Sequence, residues 1–407
     1  MSARRVVVTG MGVVSPLANS VDGAFDRLHE YKNCIIKKDD LEEYDGLNSH
    51  LASVVTAPRP QYSRKVIRTM GEVSILALEA TEQAVAQSKL TPEEIQKPNL
   101  GIAYGSCSGS INPLLDFYSF MVSKKMANIT SGTYLKMMPQ TTAVNLSIFY
   151  KTHGRLVPTG TACTSGSLAI GNAYELIKYG VQDVMIAGGA EEFSPTQIAV
   201  FDTLFATSLR NENPELTPSP YDIDRDGLVI GEGAGTFILE ELEHAKARGA
   251  EIFAEVVGYC QNTDGTHVTN PNSEMMAEAL RGAIKDAKIS PSQIGYVNGH
   301  GTATKAGDIA ETTATRSVFE RNIPISSIKS YIGHTLGACG AIEAAMSVKS
   351  LNDNWYPPTL NLKNPDPACA ELDYIMGEGR KIESEYVMTN NFAFGGVNTS
   401  LIFKKWN

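Results

Sequence analysis

Hydrophobic residues in this chain cluster in short continuous runs, and amphipathic segments separate the runs. Val6-Val7-Val8-Thr9 predicts an opening strand, and Leu100 to Tyr104 and Val184 to Gly189 predict buried strands of the same kind. Further strand signals lie at Thr236 to Leu239, Ile252 to Val257 and Gly295 to Val297, whereas Ser74 to Gln87 carries helical periodicity. Strands without polar alternation need cover on both faces, so the pattern predicts an α/β protein with helix-clad sheets.

One segment is echoed. Thr161-Ala162-Cys163-Thr164-Ser165-Gly166 enters a helix running to about Tyr179 through small residues, and Gly333-His334-Thr335-Leu336-Gly337-Ala338 does so again. Two similar halves would explain the echo, and a chance coincidence of small residues competes with that reading. The charged stretch from Glu240 to Glu251 is the predicted boundary, giving halves 1–250 and 251–407.

Composition narrows the function. With 407 residues, 43% of them hydrophobic, the chain is long enough for two domains or one large duplicated unit. A net charge of -10 argues against a nucleic-acid surface but leaves room for local basic patches at Arg64-Lys65-Val66-Ile67-Arg68 and Lys124-Lys125. Solvated helix faces are the plainer reading of both. The opening apolar run is broken at once by Thr9-Gly10 and Gly12, which predicts a strand and not a secretory leader. No apolar run reaches the length of a membrane span. Six scattered cysteines without CxxC pairs indicate neither a disulfide framework nor a zinc site, and suit a reducing cytoplasm.

Candidate chemistry centres on Cys163. A cysteine at a helix start feels the positive end of the macrodipole and free N–H groups, which favour thiolate and can hold an oxyanion. The bland alternative is a buried, space-filling cysteine. His300, flanked by glycines after a strand, and His334, in a similar loop, are two of only seven histidines. They lack the i, i+4 spacing of a zinc-binding helix, so no metal is expected. Lys329 sits among small and apolar neighbours and needs a partner, for which Glu343 is the natural candidate; a surface pair is the alternative. Three glycine-rich segments fail as cofactor motifs. Thr9 to Val14 lacks the third glycine of a dinucleotide fingerprint, and Gly231 to Gly235 lacks the lysine and serine of a phosphate loop. Asp222 to Gly227 lacks the closing glutamate of a calcium loop, because Gly233 stands there.

Taken in order, these segments resemble the β-ketoacyl-ACP synthase family, of the elongating type with a Cys-His-His triad. The resemblance runs from Val8-Thr9-Gly10-Met11-Gly12 through Thr161-Ala162-Cys163, Asp224-Arg225-Asp226-Gly227, His300-Gly301-Thr302 and Lys329 to His334. It ends at Asn391-Phe392-Ala393-Phe394-Gly395-Gly396-Val397-Asn398. It implies the thiolase fold, five layers αβαβα built from two similar halves. It also implies that Cys163 takes an acyl chain from the phosphopantetheine arm of an acyl carrier protein, with no separate cofactor. His300 and His334 then promote decarboxylation of malonyl-carrier protein, and the carbanion attacks the thioester to give a 3-oxoacyl product. The N–H groups of Cys163 and Phe394 would form the oxyanion hole, Lys329 with Glu343 would support the histidines, and Phe394 would act as gate. Thr302, Thr304 and Thr269 match pantetheine contacts, and Phe392 belongs to the same substrate-binding set. Arg64, Lys65 and Arg68 match the docking patch for an acidic carrier protein, with Lys124 and Lys125 added on charge. A homodimer, or a heterodimer with a paralogous chain-length factor, is the implied assembly.

Departures from the family pattern are Asn298-Gly299 before His300, Lys305 after Thr304, and Ala393 between the phenylalanines. Small Ser108 stands where a bulky chain-length gate is common. They point to a specialised synthase, of an aryl-polyene or similar type II polyketide pathway, beside the fatty-acid reading. Rival readings are a thiolase, an initiating synthase, and a non-catalytic chain-length factor, which typically lacks the nucleophile.

Overall fold

The computed structural model describes residues 3–406. Its first half contributes β1 (Val6–Val14), β2 (Leu100–Gly105), β3 (Leu156–Thr159), β4 (Val184–Glu191) and β5 (Gly233–Glu241). In space they run β3-β2-β4-β5-β1. The pairs from β3 to β4 are parallel, and those from β4 through β5 to β1 antiparallel. The second half contributes β6 (Ala254–Thr263), β7 (Ile294–Asn298), β8 (Pro324–Ser326), β9 (Tyr386–Ala393) and β10 (Val397–Lys405). Their order, β8-β7-β9-β10-β6, and their directions repeat those of the first half strand for strand. Val6–Val8 pair with Ala254–Val256, so the halves share one continuous sheet, with the short Asp373–Tyr374 strand at its outer edge.

Helices complete five layers. In chain order they are α1 (Glu72–Ser88), α2 (Asn112–Ser123), α3 (Ser131–Met137), α4 (Thr141–Tyr150) and α5 (Ser165–Lys178). Then come α6 (Pro195–Asp202), α7 (Ser273–Ala287), α8 (Lys305–Phe319) and α9 (Cys339–Asp353). α1 and α4 cover the outer face of the first half, and α7 and α8 that of the second. α5 and α9 lie against each other between the two faces, touching strands of both. A helix enclosed in this way has no solvent face, which is why α9 is built from Gly340, Ala341, Ala344 and Ala345 and is buried along nearly its whole length. This is the layered α/β architecture expected.

Local differences have physical causes. Pro158 lies inside β3, where the missing N–H is harmless because β3 is an edge strand. Within the segment 391–398 only the turn after Ala393 is irregular, since Asn391, Phe392 and Ala393 belong to β9 and Val397 and Asn398 to β10. The internal echo is real in shape but sits two residues from the register suggested by sequence. Ala162 and Leu336, at φ 49° and 45°, each open a 3-10 turn that runs into α5 or α9. Cys163 therefore corresponds to Gly337 and not to Thr335, the position that aligning Thr161 with Gly333 gives. Among the described residues, no helix is long and apolar enough to cross a membrane.

Candidate active site

The turn Ala162–Thr164 delivers Cys163 from the edge strand β3 to the start of α5. Ala162 holds the left-handed conformation, which costs an alanine about 1–2 kcal/mol. The turn is held by the Thr161 N–H donating to Ser165 Oγ at 3.0 Å and Ser165 Oγ–H donating to the Ala162 carbonyl at 2.7 Å. Cys163 is buried, and burial pushes its thiol up to about 12, against the opposing pull of Lys329 and of the Phe394 and Cys163 N–H groups. The helix-start argument thus had the right sign but the wrong balance: desolvation outweighs it.

His334 Nε2 lies 3.0 Å from Cys163 Sγ. Its Nδ1 faces the N–H of Leu336 at 3.2 Å and so acts as acceptor, which places the ring proton on Nε2, toward the sulfur. The backbone of His334 is pinned to the Gly231 segment, with its N–H on the Val229 carbonyl and its carbonyl receiving Gly231 N–H. His300 stands edge-on to His334, ring centroids 5.2 Å apart, and Asn391 Nδ2 approaches its Nδ1 at 3.4 Å. Burial and Lys329 hold both imidazoles well below their ordinary pKa, with His334 adding to the effect on His300. Both rings are neutral donors at neutral pH. The donor atoms of Cys163, His300 and His334 lie within 4.8 Å of one another. That gathering is tertiary, and the i, i+4 test applied to the sequence is blind to it.

Lys329 and Glu343 form an ion pair with both side chains 1% exposed, which removes the surface-pair reading. Burial works against the Lys329 ammonium, but Glu343 outweighs it and keeps the lysine charged. Asn391 Nδ2 donates to the other Glu343 oxygen at 2.7 Å, so one amide links the pair to His300. Glu311, on α8, accepts the N–H groups of His300 at 2.5 Å and Gly301 at 2.7 Å and fixes the histidine loop. Sequence reasoning missed Glu311, for no local signal joins it to His300. Asn391 lay inside a recognised motif but was not singled out.

A cavity of about 380 Å³ reaches Cys163 and is lined by His300, His334, Phe392, Phe394, Thr302, Thr304 and Thr269. Thr302 and Thr304 share a hydroxyl contact of 2.9 Å, and Phe392 stands edge-on to His300. Phe394 is half-buried and packs on Phe201 of α6, another residue unforeseen from sequence, with ring centroids 5.0 Å apart. Ser108 does not line this cavity; its neighbour Cys107 packs into the apolar cluster around Cys163. Arg64, Lys65, Arg68, Lys124 and Lys125 are exposed, and none pairs with an acid among the described residues.

With this geometry, a buried thiol, two neutral imidazole donors and two N–H groups can hold one thioester sulfur and two oxyanions. Residues 3–245 match the "Beta-ketoacyl synthase, N-terminal domain" and residues 253–363 the "Beta-ketoacyl synthase, C-terminal domain". The chain is 40% identical, over the full length of both, to "3-oxoacyl-[acyl-carrier-protein] synthase 2" of Vibrio cholerae. Its fold is similar to a crystal structure of a beta-ketoacyl synthase from Burkholderia phymatum, with TM-score 0.97 and 52% identity over 99% of this chain and 100% of the other. It is also similar to a type II polyketide ketosynthase solved with its acyl-carrier protein, with TM-score 0.89 and 32% identity over both whole chains. The chain belongs to the β-ketoacyl synthase family.

Proposed function

We propose that this protein is a 3-oxoacyl-[acyl-carrier-protein] synthase that elongates an acyl chain by decarboxylative condensation, in fatty-acid or type II polyketide synthesis. The observation that carries this reading is the 3.0 Å approach of a proton-bearing His334 Nε2 to Cys163 Sγ, inside a cavity shared with a second neutral histidine. Cys163 attacks an acyl thioester on a phosphopantetheine arm, and its proton leaves with the pantetheine thiol. The N–H groups of Cys163 and Phe394 receive the oxyanion. A malonyl thioester then enters, and the Nε2–H groups of His300 and His334 donate to its carbonyl oxygen. The electrons freed as carbon dioxide leaves are thereby held as an enolate, without a strong base. The enolate attacks the Cys163 thioester, the cysteine leaves as thiolate, and the 3-oxoacyl chain departs two carbons longer. Lys329, fixed by Glu343 and Asn391, keeps the histidines deprotonated and acts as a positioning charge.

Arg64, Lys65, Arg68, Lys124 and Lys125 are assigned to an acidic carrier protein, Thr302, Thr304 and Thr269 to its pantetheine arm, and no cofactor beyond that arm is needed. A second subunit is assigned to the free edge of β3 and to α2, which exposes Leu115, Tyr118, Met121 and Val122. A second copy fits best, because an edge strand pairs readily with its own twofold mate; a paralogue is the alternative outcome. The six free cysteines suit a reducing cytoplasm. The test is incubation with acyl- and malonyl-loaded carrier proteins. The expected result is acyl mass on Cys163, followed by carbon dioxide and a 3-oxoacyl-carrier protein. Condensation by a Cys163→Ala variant would sink the assignment.

A further inference from the structure

One part of the cavity rim is apolar, with Leu204, Phe205 and Val268 exposed beside polar His267, Asn270 and Lys305. α6 ends at Asp202, and the chain leaves it through a turn in which Phe205 N–H donates to the Asp202 carbonyl and Ala206 N–H to the Phe201 carbonyl. That turn holds Phe205 at φ 51°, with the residue 94% exposed. A bulky side chain in the left-handed region is strained, because its Cβ crowds the following carbonyl oxygen. Leaving its ring in water also forgoes the gain of burying apolar surface. Among the described residues, too little packs on Phe205 to offset either cost, since it is left almost fully exposed. Leu204 and Val268 stand exposed on the same rim, and Val268 is tied to the gate turn through its carbonyl, which accepts Gly395 N–H at 2.9 Å. Lys305 lies there too, exposed and without an ion-pair partner among the described residues.

We infer that Phe205, with Leu204 and Val268, is the apolar anchor on which an acyl carrier protein seats, with Lys305 meeting its acidic surface. The inference rests on the ketosynthase reading above. A protein that delivers a thioester to Cys163 on a tethered arm has to sit over this mouth, so the residues around its arm meet these side chains. Hydrophobic contact then supplies residence, and the basic residues supply steering, a division common at charged interfaces. The strained turn is what keeps the anchor outside, and an ordinary α-helical continuation would turn the ring elsewhere.

The experiment compares Phe205→Ala and Phe205→Glu with the unaltered full-length protein, measuring acylation of Cys163 by intact-mass kinetics. The same acyl group is offered on acyl carrier protein and as its N-acetylcysteamine thioester, which has no protein to dock. With the carrier protein, kcat/KM falls about tenfold for Phe205→Ala and further for Phe205→Glu. With the small thioester both variants stay within about twofold of the parent, a difference below the usual surface-mutation scatter. Equal losses on both substrates, or no loss on the carrier protein, overturn the inference. So does conversion of a dimer to monomer in sedimentation, which would assign Phe205 to a subunit contact. Should the parent accept the acyl group from neither donor, the ketosynthase reading itself falls.

Discussion

The two helix-entry turns of this molecule are built alike and used differently. In the first half, Ala162 at φ 49° presents Cys163 to a cavity; in the second, Leu336 at φ 45° presents Gly337. Where the first turn faces a space able to hold a substrate oxygen, the second is already filled. Glu191 Oε2 accepts the N–H of Gly337 at 3.1 Å and of Cys107 at 2.8 Å. The carboxylate thus takes the place that the proposed mechanism gives to an oxyanion beside Cys163. Burial pushes this carboxyl up to about 7, against those two donors. In the proposed reading the first turn is the reactive one, and the second is a fixed bracket behind the His334 loop. Shape alone does not make an elbow catalytic; the residue at its tip and the emptiness in front of it do.

The largest effect expected from breaking this contrast is at the reactive turn. Cys163→Ala should lower kcat/KM for condensation about ten-thousand-fold or more, read as 3-oxoacyl-carrier protein formed. A thermal melt should stay near the parent's. Next is the buried charge beside Cys163 and the two histidines. Lys329→Ala leaves Glu343 without its cation and should cost about 3–5 kcal/mol in a denaturant titration, whereas the double change Lys329→Met with Glu343→Gln should recover most of it. At the bracket, a Cβ on Gly337 would meet Glu191 Oε2 at 2.7 Å and the Cys107 nitrogen at 3.0 Å. Gly337→Ala should therefore lose about 1–3 kcal/mol, a cost of overpacking that a substrate site would not show.

The smallest test is a slope. Because burial holds the Cys163 thiol at about 12, the thiolate is the minor form at neutral pH. Its alkylation by iodoacetamide should rise about tenfold per pH unit between about pH 7 and 9. A plateau in that range would mean that Phe394 and the helix start outweigh burial after all.

Much of the site was legible in the sequence. Cys163 ahead of a small-residue helix, two glycine-flanked histidines, and a lysine needing Glu343 each carried a local chemical reason, and the structure brings them together. Less legible were Asn391 and Glu311, which act across 91 and 11 residues respectively. The strand holding Pro158 and the register of the echo were missed because edge position and turn conformation depend on neighbours distant in the chain.

By itself, the sequence determined which groups are available: the thiol, the imidazoles, the buried ion pair, and the layered α/β repeat that apolar runs demand. Only the tertiary structure decided their states. Desolvation by side chains far along the chain outweighs the helix dipole at Cys163, a single backbone N–H from Leu336 sets the proton on His334, and Glu191 closes the mirror turn. Local chemistry travels with the residue. Burial and hydrogen-bond direction belong to the fold, because they are set by atoms that the chain brings near only when it closes.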